Sequence, residues 1–208
     1  MRGCSETAIS ARGFALFRLA LGVYLSFHFA ALVPCAGELF GPAGVAPDPG
    51  RQPAAFFPNV LSALDSELGA TLFCVALSAL AWLFALGVAR PWLALLLWYG
   101  WACLLGRNVL ILNPGIPYVG WLLLACALVP RGEALRAAWC RADWRMQPLL
   151  HRGAWCLLAL GYTVSGLHKL GAVSWRDGSA LQHVLSLPLV RSWELTVWLQ
   201  AAPEPLLA

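Results

Sequence analysis

Apolar residues occur in long runs along this chain, and short polar or Pro/Gly-rich stretches separate one run from the next. We interpret five runs as helices that cross a hydrocarbon layer about 30 Å thick. They are Gly13–Val33, Leu68–Ala89, Pro91–Gly106, Ile116–Val129 and Gly153–Leu170. The pattern predicts an all-α fold, a polytopic membrane helix bundle of about five or six transmembrane helices.

A last apolar run begins near Ser192 and reaches the final residue, Ala208, after only 17 residues. It is short for a membrane span, which needs about 20 residues, and it contains Glu194 and Glu204. We therefore expect residues 1–208 to be a single transmembrane domain that is truncated at its C-terminus.

The segments between the runs differ in character. Pro34 to Glu67 is rich in proline and glycine, which favours an extended loop outside the membrane. Arg90 and Pro91 interrupt the apolar pattern, because proline resists the helix interior and is tolerated in a first turn. Arg131 to Arg152 holds five arginines and is typical of an amphipathic surface segment. A polar loop is expected from the end of the fifth run to Arg191.

Composition points to the lipid bilayer as the main partner of the protein surface. The chain is 60% hydrophobic and 12% charged, against about 25% charged in an average soluble domain. The net charge of +4 comes from scattered arginines and one lysine, and the absence of a dense basic run argues against nucleic acid as a partner. The seven cysteines form no C-x-x-C pair, and no metal-ligand spacing or nucleotide fingerprint occurs in the sequence, so no metal site is expected.

The distribution of positive charge predicts how the chain is oriented, because basic residues are enriched on the cytoplasmic side of membrane proteins. With a cytoplasmic N-terminus, the inner segments hold eight basic residues and the outer segments hold five. The inner residues are Arg2, Arg12, Arg90, Arg131, Arg136, Arg141, Arg145 and Arg152, and the outer residues are Arg51, Arg107, Lys169, Arg176 and Arg191. We expect the N-terminus in the cytoplasm and Lys169 on the outer face, periplasmic or lumenal.

Lys169 is the most informative candidate for chemistry, because it is the only primary side-chain amine in the protein. On a helix, Tyr162 and Lys169 fall on one stripe, and His168 lies about 100° around the axis. An ammonium at the end of a span can snorkel to the membrane surface. Alternatively, an apolar pocket can hold it, and desolvation then makes it a usable base near neutral pH. The neighbouring His168, Trp175 and Asp177 favour the pocket, and both interpretations stay open.

The segment around Lys169 resembles that of a known family. The run from Gly166 to Leu170 reads GLHKL, and Trp175 and Gly178 follow it. This is similar to the G-x-[HK]-K-L…W-x-x-G segment of the vitamin K-dependent γ-carboxylases. It is closer still to that of their bacterial relatives, the horizontally transferred transmembrane (HTTM) proteins.

The similarity continues along the rest of the chain in the same order. Phe14 to Leu21, with the interior Arg18, resembles the first span of that family. Glu38 to Pro49 resembles the glycine- and proline-containing loop of HTTM proteins, and Asn113 to Leu124 resembles the entry to the fourth span. Two features depart from the carboxylase pattern: no histidine follows Asn113, and the large soluble region with which the carboxylase binds its substrate protein is not found in these 208 residues.

The resemblance implies a lyase-like, quinone-oxygenating membrane enzyme that acts on a quinone or another lipid-soluble substrate. In that family, the lysine matching Lys169 deprotonates a reduced naphthoquinone. The oxygenated quinone then takes a γ-hydrogen from a peptide glutamate, which CO2 captures. Lys169 is thus expected to be the base, a reduced, vitamin K-like quinone the cofactor, and a peptide or protein the substrate. A water-poor site suits this chemistry, because solvent quenches a strong base.

Several further residues are expected at such a site. We expect His168 to assist Lys169 in catalysis. The expected substrate-binding residues are Arg107, Asn108, Asn113, Tyr162, Trp175 and Asp177. Two roles stay open for Arg107, which either holds a quinone oxygen or a carboxylate, or pairs structurally with Asp177 or Glu38.

A second hypothesis is a non-catalytic protein of the bacterial inner membrane. It would assist the maturation or export of a peptide, or partner a thiol–disulfide oxidoreductase, as some relatives of the family do. The short chain, without a soluble domain, motivates this hypothesis.

Two polar residues interrupt the first apolar run. Arg18 lies near its inner end, where it either snorkels to the membrane surface or belongs to a functional site. His28 lies deeper and needs a partner in lipid, so we expect a structural histidine whose hydrogen-bonding or packing needs are satisfied.

Overall fold

The computed structural model describes residues 9–45, 57–64, 66–111, 115–186 and 197–198. In these ranges the chain forms α-helices and short 3₁₀ turns, with no β-strand. The helices are α1 (Ala11–Leu32), α2 (Ala36–Phe40), α3 (Val60–Ala63), α4 (Glu67–Leu86), α5 (Arg90–Arg107), α6 (Ile116–Leu128), α7 (Pro148–Gly171), α8 (Val173–Arg176) and α9 (Ala180–Leu185). The 3₁₀ turns are Val33–Cys35, Val109–Ile111 and Ala137–Trp139. The predicted all-α fold class is confirmed for this part of the chain.

Serine side chains fix the N-terminal ends of α1 and α4. The Ser10 hydroxyl accepts a hydrogen bond from the N–H of Gly13 (3.0 Å), and the Ser66 hydroxyl accepts one from Gly69 (2.9 Å). Each bond satisfies an N–H that the first helical turn leaves without a partner. α4 ends at Gly87, whose φ of 86° lies in the left-handed region that favours glycine. These caps place the helix ends within a few residues of the predicted apolar runs.

The connecting segments contain more helix than the sequence predicted. Pro34 lies in the first turn of a 3₁₀ helix, where its missing N–H is not needed, and the chain continues into α2. The predicted loop from Pro34 to Glu67 is therefore wrong in its first part. Helix α7 begins at Pro148, before the predicted start, and α8 and α9 lie within the predicted polar loop. Asn113 and most of the run after Ser192 lie outside the described residues.

α1 and α4 pack along each other through small residues. A Cβ on Gly22 would lie 2.6 Å from the Cβ of Ala85, so the two backbones approach closely at this glycine. One turn further, the Ser26 hydroxyl donates to the carbonyl of Ser78 (2.8 Å), and the Ser78 hydroxyl donates to the carbonyl of Ser26 (3.0 Å). Close approach and hydrogen bonds between helices are important for helix association in membranes, where apolar burial supplies little driving force.

Two of the described helical stretches are long and apolar enough to cross a membrane, namely Ala11–Phe40 and α4. Only 28% and 33% of their most apolar windows are buried inside the protein, whereas a core helix of a soluble protein would be mostly buried. Large apolar side chains on them are exposed, for example Phe27 (66%) and Leu68 (67%). This apolar surface supports membrane association. α6 is apolar but has only 13 residues, so the larger number of spans stays a prediction.

The buried core of this protein lies among α1, α4, α5 and α6. Phe29, Phe84, Leu97 and Leu123 are fully buried there. The chain divides into two compact units, residues 1–154 and residues 155–208, and this core belongs to the first. The second unit contains most of α7, together with α8 and α9.

Candidate functional site

Lys169 lies in the last turn of α7, in the second unit, and its side chain is exposed. Its Nζ lies 4.3 Å from the centroid of the Trp175 ring, which is a cation–π contact. The N–H of Ala172 donates to the carbonyl of Lys169 (3.1 Å), and the chain then turns into α8, which carries Trp175. The structure therefore brings two of the predicted site residues together.

An open groove of about 630 Å³ lies at the same end of α7. It is lined by Val164, Leu167, His168, Gly171 and Ala172. Apart from the His168 imidazole, these side chains are apolar or absent, so the groove is mainly apolar. Lys169 follows His168 by about 100° around the helix and is not among the lining residues.

Asp177 and Tyr162 have different surroundings from Lys169. The Asp177 carboxylate accepts hydrogen bonds from the backbone N–H (2.9 Å) and the hydroxyl (2.7 Å) of Ser179. These two bonds lower the pKa of the Asp177 carboxyl below its ordinary value, so the group is ionised at neutral pH. Tyr162 lies two turns before Lys169 on α7, with 71% of its surface exposed. Asp177 thus stabilises the turn before α9, and Tyr162 is free to contact lipid or a ligand.

Arg107 and Asn108 are buried at the C-terminal end of α5, in the first unit. Arg107 donates from Nε to the carbonyl of Phe40 (2.9 Å) and from Nη2 to the carbonyl of Gly41 (2.8 Å). Asn108 donates from Nδ2 to the carbonyl of Leu39 (2.9 Å). The last carbonyl groups of a helix have no partner within it, so these side chains cap α2. The structure gives both residues a structural role, and a substrate contact for them stays a prediction.

Replacing Arg107 with leucine is expected to destabilise the first unit. The carbonyl groups of Phe40 and Gly41 would lose charge-assisted hydrogen bonds, each of which typically contributes about 1.5–3 kcal/mol. Unfolding of the detergent-solubilised protein by SDS, followed by circular dichroism, should show a loss of about 3 kcal/mol in the free energy of unfolding, the lower end of the sum for two such bonds, because the buried leucine offsets part of the loss. Leu110→Ala, at a side chain that is 69% exposed, is the control and should unfold like the wild type. Equal stability of Arg107→Leu and the control would contradict the capping role.

A buried ionic cluster in the first unit was missed by the sequence analysis. The Glu133 Oε1 atom lies 2.7 Å from Arg90 Nε and 3.0 Å from Arg18 Nη1. None of the three side chains is more than 5% exposed. Arg90 also donates from Nη2 to the carbonyls of Val129 (2.6 Å) and Pro130 (3.0 Å), at the end of α6. The cluster joins the beginnings of α1 and α5 to the segment after α6.

Packing around Arg18 excludes one of its two predicted roles. A Cβ on Gly87 would lie 2.6 Å from Arg18 Nη1, so the guanidinium packs directly on the glycine backbone. Because the side chain is buried in an ion pair, the snorkelling interpretation of Arg18 is wrong. Two features of the sequence hint at the ionic cluster: an acidic residue lies among the arginines after α6, and an arginine directly precedes Pro91. Neither indicates that residues 115 positions apart are in contact.

His28 lies among aromatic rings in the first unit. Its ring centroid lies 5.0 Å from that of Trp101, 5.8 Å from that of Phe29 and 5.9 Å from that of Tyr24. These contacts support the structural role that was expected for this histidine.

No protein-family model, curated protein or solved structure matches this chain. The resemblance to the HTTM family therefore rests on the sequence segments quoted above, and membership of that family stays a prediction. Within the described ranges, no group of three or more His, Cys, Asp or Glu side chains could hold a metal ion.

Proposed function

We propose that this chain is an integral membrane protein of the HTTM type that receives a quinone-like molecule beside the C-terminal end of α7. The observation that carries this proposal is the 4.3 Å contact between Lys169 Nζ and the Trp175 ring, next to a mainly apolar groove. An apolar groove with one imidazole fits a flat ring that carries polar oxygens at its edge. A quinone dissolves in lipid and would therefore reach an exposed helix surface from the bilayer.

In this proposal, Lys169 is the base and His168 contacts the bound molecule. The Lys169 amine would take a proton from a hydroxyl group of the reduced quinone, leaving a hydroquinone anion and an ammonium. Because Lys169 is exposed and its Nζ lies over the Trp175 ring, the amine would have to leave that ring to reach a molecule bound in the groove.

The proposed topology has five or six spans, a cytoplasmic N-terminus and Lys169 on the outer face. The exposed apolar surface of α1 and α4 supports membrane insertion, as does the close, hydrogen-bonded packing of these helices through Gly22, Ser26 and Ser78. The excess of basic residues in the inner segments supports the orientation.

Replacing Lys169 with alanine is expected to abolish conversion of a reduced naphthoquinone. Removing a general base typically lowers the rate by about 100-fold to 10,000-fold. The measurement is oxygen-dependent turnover of the reduced quinone by the purified protein in lipid nanodiscs. Lys169→Arg retains the positive charge but supplies no usable base, so it should be as inactive as Lys169→Ala. Arg176→Ala, at an exposed arginine on α8, should retain full activity. Absence of turnover in the wild type, or turnover that is unchanged in Lys169→Ala, would exclude the base role.

A second candidate function is a non-catalytic membrane protein that assists a partner in peptide maturation, peptide export or thiol–disulfide exchange. It is favoured by the exposure of α7, which buries none of its residues. Large apolar side chains such as Leu167 (63%) and Leu170 (69%) are exposed on this helix, where a partner helix could cover them. Full genetic complementation by Lys169→Ala would favour this function over the enzyme.

A further inference from the structure

Two buried side chains hold the segment that follows α6 against α1 and α5. One is Glu133, through its ion pairs with Arg18 and Arg90. The other is Trp144, which is 6% exposed, stacks on Phe14 at a centroid distance of 6.1 Å, and donates from Nε1 to the carbonyl of Pro130 (3.2 Å). Because both anchors point inward, the orientation of the residues between them is fixed.

The outward side of the same segment is basic and carries exposed apolar groups. We call it the basic surface, and it consists of the exposed side chains of Arg131, Leu135, Arg136, Trp139, Arg141, Asp143 and Arg145. Four arginines and one aspartate give it a formal charge of +3, while Glu133 is neutralised inside by its own ion pairs. Asp143 pairs with Arg141 at 3.4 Å, and both side chains are more than 60% exposed, so this pair is weak.

Trp139 is the more exposed of the two large apolar side chains of the basic surface. It is 69% exposed, and the Arg136 guanidinium lies 4.8 Å from its ring centroid. Leu135 is 44% exposed in the preceding turn. Tryptophan with arginine at the end of a span is typical of the headgroup level of a bilayer, where the ring is half in contact with lipid and the cation is near phosphate.

The anchors place the basic surface at one end of the first unit. Arg18 and Phe14 lie in the first turns of α1, Arg90 begins α5, and Pro130 follows the end of α6. If these helices cross a bilayer, as the proposed function requires, their ends and the basic surface lie at the cytoplasmic headgroups.

We propose that the basic surface is a docking surface for anionic phospholipid headgroups of the cytoplasmic leaflet, with Trp139 and Leu135 inserted between them. The charge of +3 is complementary to phosphate, and an arginine near an anionic bilayer increases binding about fivefold, equivalent to about 1 kcal/mol. An acidic soluble protein would also be attracted to the positive charge of the basic surface. The exposed Trp139 beside the end of a membrane helix favours lipid, however. This inference rests on the membrane location in the proposed function.

The test uses the full chain in phosphatidylcholine bilayers into which brominated phosphatidylglycerol is titrated. Bromine quenches nearby tryptophan, and the difference between the wild type and Trp139→Phe isolates the signal of Trp139. We expect Trp139 to be quenched at a lower mole fraction of brominated phosphatidylglycerol than of brominated phosphatidylcholine, and salt should weaken this preference. A triple variant should bind the anionic lipid much more weakly. It combines Arg131→Gln, Arg136→Gln and Arg145→Gln, and the mole fraction of brominated phosphatidylglycerol that half-quenches Trp139 should rise at least tenfold.

Matched variants separate charge from folding and from membrane insertion. Replacing the same three arginines with lysine should retain the preference of Trp139 for phosphatidylglycerol over phosphatidylcholine. The single change Arg136→Gln should weaken this preference about fivefold, and Arg176→Gln should leave it unchanged. Quenching of the other tryptophans by brominated phosphatidylcholine reports insertion itself, so its loss would refute the membrane location rather than the docking surface. Equal quenching of Trp139 by both lipids, or no effect of the glutamine variants, would overturn the proposal and favour an acidic protein partner.

Discussion

Glu133→Ala is expected to lower the free energy of unfolding of the first unit by about 3–5 kcal/mol, the typical cost of removing one partner of a buried ion pair. The change leaves the Arg18 and Arg90 guanidinium groups close together without the carboxylate that lies 3.0 Å and 2.7 Å from them. Unfolding in SDS, followed by circular dichroism, measures the loss.

Two variants control for the chemistry of this change. Asp143→Ala removes the exposed acidic residue of the same segment and should change stability by less than about 1 kcal/mol. Glu133→Gln retains the shape and an acceptor oxygen, so we expect a loss between those of the other two variants. If Glu133→Ala were as stable as Asp143→Ala, the cluster would not be what holds the segment to α1 and α5.

Gly22→Val is expected to force α1 and α4 apart. A Cβ at Gly22 would lie 2.6 Å from the Cβ and 2.8 Å from the backbone N and Cα of Ala85, and a backbone cannot move aside as a flexible side chain can. Overpacking of this kind typically costs about 1–3 kcal/mol. The reciprocal hydrogen bonds between Ser26 and Ser78 would stretch as well, and each contributes about 0.6 kcal/mol in a membrane protein. We expect a total loss of about 2–4 kcal/mol in SDS unfolding.

The matched control is Gly153→Val on α7, where nothing lies within 4 Å of an added Cβ. This variant should unfold like the wild type, because valine fits the open space and forms helix no worse than glycine. A Gly22→Val protein with wild-type stability would show that α1 and α4 do not pack closely at this point.

The positions of α1 and α4 could be predicted from the sequence, because each is a long apolar run that begins just after a capping serine. Ser66 and Gly87 bound α4 almost where the apolar pattern begins and ends. α2 could not be predicted in the same way, since Pro34 and Gly41 flank it and such residues usually indicate a loop. The partners that hold α2 in place, Arg107 and Asn108, come from a distant part of the chain.

The candidate site could be predicted only in its local part. Lys169 and Trp175 are six residues apart, so a helix end followed by a turn brings them together, and the sequence segment indicates this. Glu133 is different, because its contact with Arg18 spans 115 positions and depends on how α1, α5 and α6 pack. In the sequence, Glu133 looks like one more charged residue in a surface segment.

The central claim is that this chain is an integral membrane protein, and extraction of membranes from cells that express it tests this claim most directly. After an alkaline carbonate wash followed by urea, we expect the protein to remain entirely in the membrane pellet and to be released only by detergent. Exposed Phe27 and Leu68 should then be in contact with lipid rather than water. Release of folded protein into the supernatant by carbonate alone would contradict the account.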